Sequence, residues 1–169
     1  MYAAHFAAAL AIKSHAPKAP TWALLTGAFL PDFVWIVLGL AGVEPSQGPA
    51  FFDDWSHSLA MVLLWATLFA LPFWRKGLAF PVGLAVFSHF LLDLPIHPKN
   101  LALYPHSAIH LGWGLWRIGP KNYWYVQLGV VIVLTFVYAQ GARKLRFAAN
   151  LIGASCIFLV GLHLMTWRG

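Results

Sequence analysis

A run near the middle of the chain combines imidazole and carboxylate side chains at helical spacing. The segment Ser88-His-Phe-Leu-Leu-Asp-Leu-Pro-Ile-His97 places His89, Asp93 and His97 four residues apart. Residues four apart share one face of an α-helix, so His89 and Asp93 would lie side by side. Pro95 removes a hydrogen-bond donor, which predicts that the helix ends or bends there and that His97 curls over the pair. Ionisable groups in an apolar run are costly, which favours a functional role.

The composition indicates an integral membrane protein. The 169 residues are 60% hydrophobic and 9% charged, with a mean hydropathy of +0.71. A soluble domain carries about a quarter charged residues, so this chain cannot cover a water-facing surface with polar groups. We expect a single domain over residues 1–169. The net charge of +6 is spread over small clusters rather than a basic stripe interleaved with aromatics, so nucleic-acid binding is not predicted.

The apolar runs predict an all-α bundle of about five transmembrane helices plus a short N-terminal helix. Residues 2–14 are apolar but fewer than the roughly 20 that a span requires. The predicted spans are residues 22–43, 55–74 (or from 51), 78–94, 123–142 and 147–167. The last two form a C-terminal helical hairpin over residues 123–167. The sequence motifs described below all lie within residues 1–110.

The basic residues of the connections predict an orientation. One set falls on one side of the predicted bundle: Lys13, Lys18, Arg75, Lys76, Arg143, Lys144 and Arg146. A smaller set falls on the other: Lys99, Arg117, Lys121 and Arg168. The positive-inside rule then places the loops 44–54 and 95–122 outside the cytoplasm.

Most of the histidines and two of the acids converge under this topology. His57, His89, Asp93 and His97 belong to the outer half of the bundle, and Asp32 lies near the midplane. His5 could join them if the N-terminal helix packs alongside with its start outward. Two histidines, His15 and His163, fall elsewhere.

Imidazole and carboxylate groups are ligands for zinc and other first-row metals, and a catalytic metal keeps one position open for water. A bound metal lowers the pKa of that water and makes a nucleophile for hydrolysis. The set therefore predicts a metal or catalytic site. A structural alternative is that these side chains only hydrogen-bond across helices to hold the bundle together.

Neighbouring polar residues have weaker signals. His106 is a candidate substrate-positioning residue or additional ligand, and His110 is interpreted as a solvated loop histidine, with a ligand or lid role as the alternative. Asp53 and Asp54 precede a helix, where carboxylates cap free N–H groups, so capping is their predicted role.

Four short elements occur in an order that resembles a known family. They are His5, Gly27-Ala-Phe-Leu-Pro-Asp32, Trp55-Ser-His-Ser-Leu59 and Phe87-Ser-His-Phe-Leu-Leu-Asp93. The sequence resembles metal-dependent hydrolases of the bacterial inner membrane, described in some cases as LexA-binding. Val34 replaces a second acid that often follows the Pro-Asp element in that family, which favours one metal over two.

The resemblance implies a multi-pass protein of the bacterial cytoplasmic membrane, and the positive-inside rule places its site on the extracytoplasmic side. We predict a membrane-embedded hydrolase that uses a divalent metal, with Zn²⁺ as the expected ion, on a lipid or lipid-linked ester, phosphoester or amide. The predicted catalytic residues are Asp32, His57, His89 and Asp93, and the same four with His5 are the predicted metal ligands. His97, like His106, would position substrate or add a ligand. The alternatives are a small transporter or ion- or proton-conducting protein, and a non-catalytic membrane scaffold.

Overall fold

The computed structural model describes residues 2–44, 53–97 and 101–167, apart from the side chain of Trp116. Within these ranges the regular elements are helical, with one isolated antiparallel bridge between Ala102 and His110. The α-helices are, in chain order, α1 (Tyr2–His15), α2 (Thr21–Ala28), α3 (Leu30–Leu40), α4 (Asp54–His57), α5 (Leu59–Ala70), α6 (Ala79–Asp93), α7 (Pro120–Lys144) and α8 (Ala149–Leu164). The predicted all-α class is confirmed.

Two continuous segments are long and apolar enough to cross a membrane, namely Leu59–Lys76 with 18 residues and Pro120–Lys144 with 25. The helices α2 and α3 pass the same test together, as one span bent by 54°. The helices α6 and α8 are apolar but have 15 and 16 residues, below the roughly 20 that a straight span needs. The described residues thus support two or three spans, and the prediction of five is not confirmed.

The predicted span over residues 22–43 is not one continuous helix. It breaks at Phe29, between α2 and α3, and Pro31 lies in the first turn of α3. A proline cannot donate a backbone hydrogen bond and its ring clashes with the carbonyl four residues earlier, so the bend at this point has a direct steric cause. The break matters for function because Asp32 immediately follows Pro31.

The N-terminal helix α1 is buried against α7, α2 and α6. Its alanines form most of the contact, and Ala4 and Ala7 have no exposed surface. Small side chains let helix backbones approach closely, which is how helices associate when the surroundings are apolar. Ala3, Ala4 and Ala7 pack in one cluster with Val131 of α7. This packing carries His5 into the interior of the bundle, where it is 1% exposed.

The closest approach of α1 and α7 depends on Gly141. A Cβ atom at this position would lie 2.7 Å from the Cβ of Ser14. We expect Gly141→Ala to lower the free energy of unfolding by about 1–3 kcal/mol, the usual cost of overfilling a packed contact. A matched change on the same helix is Gly129→Ala, whose added methyl meets nothing within 4 Å. Thermal unfolding of both variants in detergent checks this, and equal midpoints would contradict the close contact.

Most of the described basic residues lie at one end of the helices and the acids at the other, with Arg117 and Lys121 at the acidic end. Lys13, Arg143 and Lys144 lie in the last turns of α1 and α7, and Arg75 with Lys76 follows α5. The five acids lie at the opposite end, each at or near the end of a helix that carries it or that it contacts. They are Asp32, Glu44, Asp53, Asp54 and Asp93. Two basic residues used in the orientation argument, Lys99 and Arg168, lie outside the described residues.

Candidate metal centre

His89 lies at the centre of the polar cluster. It is 1% exposed, and its Nδ1 is 2.8 Å from the carbonyl oxygen of Ala28. Since a carbonyl only accepts, Nδ1 carries the proton and donates it. The acceptor is at the end of α2, where the break before Pro31 interrupts the helix. The other nitrogen, Nε2, is therefore the one with a free lone pair, and a backbone acceptor on the far nitrogen is typical of metal-binding histidines.

The Nε2 atom of His89 faces two carboxylates. It is 3.0 Å from Oδ2 of Asp93, one turn further along α6, and 3.7 Å from Oδ1 of Asp32. The atom is buried and makes no hydrogen bond of normal geometry to either partner. A buried nitrogen that is left without a hydrogen bond is costly. A ligand that binds between these groups would remove that cost.

His57 is held in an equivalent way. Its Nδ1 is 2.7 Å from Oγ of Ser56, and that hydroxyl donates to the carbonyl oxygen of Asp53 at 3.0 Å. The single hydroxyl proton is thus used, so Ser56 accepts from Nδ1–H of His57. This leaves Nε2 of His57 as the free nitrogen, and it lies 3.4 Å from Oδ1 of Asp32.

A second helix break positions His57. The predicted helix over residues 55–74 is interrupted at Ser58, whose ψ of 151° is extended and separates α4 from α5. The first amides of α5 have no partner within the helix, and they donate outward instead. Leu59 and Ala60 donate to the carbonyls of Ala102 and Leu103 at 3.1 and 3.0 Å. The segment after α6 that contains Ala102 and Leu103 therefore stabilises the helix break at Ser58, and this break turns His57 inward.

We expect Ser56→Ala to weaken metal binding by about 10–100-fold, the range found when the partner of a ligating histidine is removed. The change deletes the acceptor for Nδ1–H of His57 and leaves the ring free to rotate. Ser58→Ala is the matched control, because the Ser58 hydroxyl is buried without a hydrogen-bond partner. Isothermal titration of metal-free protein with Zn²⁺ measures both, and equal affinities would show that Ser56 does not orient the ligand.

The cluster contains two groups of three that could hold a metal ion. One is His5, His89 and Asp93, which are all buried, and the other is Asp32, His57 and His89. His89 belongs to both and has one available nitrogen. His89 thus links the two groups. The structure brings together all five ligands predicted from the sequence, which are His5, Asp32, His57, His89 and Asp93.

The spacing of these atoms suits a small divalent cation. Ligands 2.0–2.1 Å from a tetrahedral ion lie about 3.3 Å from one another. The distances between candidate ligand atoms are 3.6 Å for His5 Nε2 to Asp93 Oδ1, 3.0 Å for His89 Nε2 to Asp93 Oδ2 and 3.4 Å for His57 Nε2 to Asp32 Oδ1. The rings of His5 and His89 stack with centroids 4.1 Å apart. The residues therefore fit a metal without large movement.

Glu44 replaces the two predicted caps. The side chains of Asp53 and Asp54 make no capping bond to α4, so that prediction is wrong. Oε1 of Glu44 instead accepts from the backbone amides of Trp55 and Ser56 at 2.6 and 3.0 Å. A remote carboxylate can satisfy the free amides of a helix start as well as a local one. Local spacing carries no signal for this, because Glu44 lies eleven residues before Trp55.

A cavity of about 230 Å³ opens onto the cluster. Besides the predicted residues it is lined by Tyr2, Trp35 and Asp53, which sequence reasoning did not place in the site. The Asp53 carboxyl is 4% exposed. Burial, together with the neighbouring Asp54 and Glu44, raises the pKa of Asp53 to about 6, although His57 opposes the shift. The site thus contains a carboxyl outside both groups of candidate ligands.

The predicted end of the helix before Pro95 is observed. The helix α6 ends at Asp93, and the chain turns so that the amide of His97 donates to the Asp93 carbonyl at 2.8 Å. Nε2 of His97 then lies 3.7 Å from Oδ2 of Asp93, and the residue lines the cavity. Burial lowers the pKa of His97, so its ring is available as a neutral base or ligand. Its role as ligand or substrate contact stays a prediction.

His106 and His110 do not line this cavity among the described residues. The backbone amide of His106 donates to Oδ2 of Asp54 at 2.8 Å, and its ring lies edge-on to Trp55. His110 is exposed and forms the bridge with Ala102. His15 and His163 lie outside the cluster, as predicted, with hydrogen bonds to backbone carbonyls.

No family model, curated protein or solved structure matches the chain. The resemblance to inner-membrane metal-dependent hydrolases therefore stays a prediction based on the four short elements. What the structure itself establishes is a helical chain with segments that could cross a membrane and a buried His/Asp cluster that could bind a metal ion.

Proposed function

We propose that this protein is a membrane-embedded hydrolase with one divalent metal, Zn²⁺ being the best match to the ligand types. The observation that carries the proposal is the position of His89 Nε2. It is buried, has no hydrogen bond, and is shared by two groups of three potential ligands at the edge of a cavity. A purely structural hydrogen-bond cluster would be expected to satisfy such a nitrogen.

One ion is proposed because His89 offers one nitrogen. Its Nδ1 is committed to Ala28, so Nε2 can bind a single ion at a time. Asp93 and His5 form one group with that nitrogen, and Asp32 and His57 form the other, each with its ligand atoms within 4.8 Å of one another. In this assignment Asp93 and His89 are ligands, and His5, Asp32 and His57 complete the coordination or orient it. Imidazole and carboxylate ligands favour zinc and other first-row metals over Mg²⁺ or Ca²⁺.

The chemistry follows from the residues around the cavity. A divalent ion bound there supplies a Lewis acid and lowers the pKa of water. Asp53 lies at the cavity outside the two ligand groups, and a carboxyl with a pKa of about 6 is half ionised at that pH. In our assignment Asp53, rather than Asp32, is the general base that accepts the proton from the attacking water. His97 contacts the substrate or the leaving group.

A lipid or lipid-linked ester, phosphoester or amide is the proposed substrate class. The side chain of Asp32 is 30% exposed, and it sits on a helix whose most exposed positions are apolar. These include Ile36, Val37 and Leu40 at 49%, 63% and 86%. A large exposed apolar surface beside a polar site is typical of a surface that contacts a membrane or a ligand. A substrate held in the bilayer would therefore reach the cavity along α3.

The proposed location is the bacterial cytoplasmic membrane, with the site facing the extracytoplasmic side. The larger group of basic residues lies at the end away from the His/Asp cluster, against Arg117 and Lys121 at the near end, and this excess supports the orientation through the positive-inside rule. We retain five spans as the proposed topology, with α6 and α8 crossing in company with their flanking turns. The confinement of the acids to one end also favours a hydrolase over a transporter, whose pathway residues would extend through the membrane.

The decisive experiment combines metal analysis with a substrate panel. Protein purified without chelating resin is expected to contain about one equivalent of divalent metal, and to hydrolyse at least one member of a panel of lipid esters, phosphoesters and amides in mixed micelles. Chelation should abolish turnover and added Zn²⁺ restore it. Absence of stoichiometric metal in the wild type, even after incubation with Zn²⁺, would overturn the proposal. Liposome flux without hydrolysis would favour the transporter instead.

A further inference from the structure

A second cavity lies beside the candidate metal centre, between α1, α7 and α8. Its volume is about 380 Å³. Tyr2 lines both this cavity and the one that holds the His/Asp cluster, so the two are neighbours separated by one side chain. The new cavity has a mixed lining, with aromatic rings from the start of α7 and polar groups from α7 and the end of α8. None of its residues belongs to the candidate metal centre.

The polar groups of this cavity are uncharged and can both donate and accept. Gln127 is buried and shares a hydrogen bond with the Tyr123 side chain. The Thr166 hydroxyl accepts from Nε1 of Trp124 at 3.2 Å and donates to the His163 carbonyl at 2.6 Å. These bonds leave an acceptor lone pair on Thr166 and further donor and acceptor capacity on the amide of Gln127.

His163 adds a further acceptor. It is 2% exposed, and its Nε2 lies 3.2 Å from the carbonyl oxygen of Trp124. A carbonyl only accepts, so Nε2 carries the proton, and Nδ1 of the neutral ring is an acceptor. The ring stacks on the indole of Trp124 with centroids 4.8 Å apart. The imidazole is therefore fixed in one plane and one tautomer, which is the condition for a directional contact.

The described lining disfavours two common types of headgroup. A phosphate would be favoured by a cationic side chain, and among the described residues neither Lys nor Arg lines the cavity. An amine or quaternary ammonium would be favoured by a carboxylate, and the five acids of the chain all lie outside this lining. Hydroxyl groups donate and accept equally, as the amide, hydroxyl and imidazole here do. Flat aromatic rings supply apolar contact at low entropic cost.

We propose that this cavity binds the uncharged sugar headgroup of a glycolipid. The sugar hydroxyls would contact Gln127, Thr166 and His163, with the sugar ring against the aromatic side chains that line the cavity. Because Tyr2 borders both cavities, a headgroup held here lies next to the His/Asp cluster, and the bond that links it to the lipid lies nearer the metal. The identification of this lipid as the substrate rests on the proposed function, whereas the binding itself does not.

Competitive lipid binding tests the proposal without turnover. The full chain is extracted in a polyoxyethylene ether detergent, because a sugar detergent would occupy the cavity. It is incubated with equal amounts of glucosyl-diacylglycerol, phosphatidylglycerol and phosphatidylcholine of matched acyl chains, and the retained lipids are counted by native mass spectrometry. We expect the glucosyl lipid to be retained about tenfold over either phospholipid, as two or three net hydrogen bonds would give.

Two variants and one control locate the site. Gln127→Leu and Thr166→Val keep the side-chain shape, and each is expected to lower the preference by about three- to tenfold, the value of one hydrogen bond. Gln140→Leu is the matched control, because Gln140 lies on the same helix and lines a different cavity. It should retain the wild-type preference.

The outcomes separate this inference from the hydrolase proposal. Equal retention of the three lipids by the wild type, or a preference unchanged in both variants, overturns the sugar site. A preference for phosphatidylcholine also overturns it, in favour of an aromatic cage for a cation. Metal content is measured on the same samples. A glucosyl preference that depends on Gln127, in protein that binds no metal, would support the sugar site and remove the hydrolase.

Discussion

Replacing His89 with alanine is expected to remove the divalent ion from the purified protein. His89 Nε2 is the one atom that both groups of candidate ligands share, so its loss leaves Asp93 with His5 on one side and Asp32 with His57 on the other. Neither pair keeps three ligands. We expect the affinity for Zn²⁺ to fall by more than about 100-fold, since removing even the hydrogen-bond partner of a ligand costs about 10–100-fold.

The controls for this change are the histidines outside the cluster. His15 and His163 hydrogen-bond to the carbonyls of Ala11 and Trp124 and contribute to neither candidate group. His15→Ala and His163→Ala should therefore retain the ion. Metal content by mass spectrometry and Zn²⁺ titration of the metal-free protein provide the two measurements. Wild-type affinity in His89→Ala, in a variant with a normal thermal midpoint, would place the ion elsewhere.

Single changes at His5 and His57 then divide the two groups. If the ion sits with Asp93, His5→Ala should weaken binding more than His57→Ala does. The reverse order would place the ion with Asp32. Equal moderate losses would indicate an ion that all five side chains approach, which the shared nitrogen of His89 permits.

The convergence of the cluster could be predicted from the sequence. The spacing of His89 and Asp93 requires only a regular helix, and that helix formed as α6. The orientation argument placed His57 in the outer half of the bundle and Asp32 near the midplane, and the structure brings Nε2 of His57 to 3.4 Å from Oδ1 of Asp32. The predictions that held were those that depend on helical periodicity and on which end of a helix a residue occupies.

The helix breaks could not be placed in the same way. Residues 22–43 were predicted as one continuous span in spite of Pro31, and the 54° bend and the use of the Ala28 carbonyl by His89 are tertiary features. The break at Ser58 involves no proline. It is stabilised by hydrogen bonds to the carbonyls of Ala102 and Leu103, more than forty residues away in the sequence. Freed backbone groups inside a membrane protein need partners, and only the folded chain shows which ones are present.

Asp53 was misassigned for a related reason. Its position just before α4 is typical of a cap, yet Glu44 provides the capping oxygen and frees the Asp53 side chain to line the cavity. Two carboxyls compete for one helix start, and sequence spacing favours the nearer one. The fold selects the other, because Oε1 of Glu44 accepts from the amides of Trp55 and Ser56. Asp53, which was predicted to be a helix cap, is thus the residue for which we propose the role of general base.

Replacing Asp53 with asparagine is expected to abolish hydrolysis while the metal remains bound. The change preserves shape and removes the carboxylate that would accept a proton from water. We expect kcat on the responsive lipid of the panel to fall by about 10²–10⁴-fold, the usual contribution of a positioned general base. Metal content should stay at the wild-type value, because Asp53 belongs to neither group of candidate ligands. Asp32→Asn is expected to weaken metal binding as well, which distinguishes a base from a ligand.

The pH dependence of the same reaction gives an independent check. The pKa of Asp53 is raised from its ordinary value to about 6, chiefly by burial, so the carboxylate needed as a base forms only as the pH rises through that value. The wild-type rate should therefore increase from pH 5 to 7, with a midpoint of about 6, and this limb should be absent from residual Asp53→Asn activity. Asp54→Asn should keep the activity, because Asp54 does not line the cavity, and should move the midpoint to lower pH, because the Asp54 charge contributes to the raised pKa of Asp53. Full activity in Asp53→Asn, with an unchanged pH profile, would assign the base to Asp32 or to His97 instead.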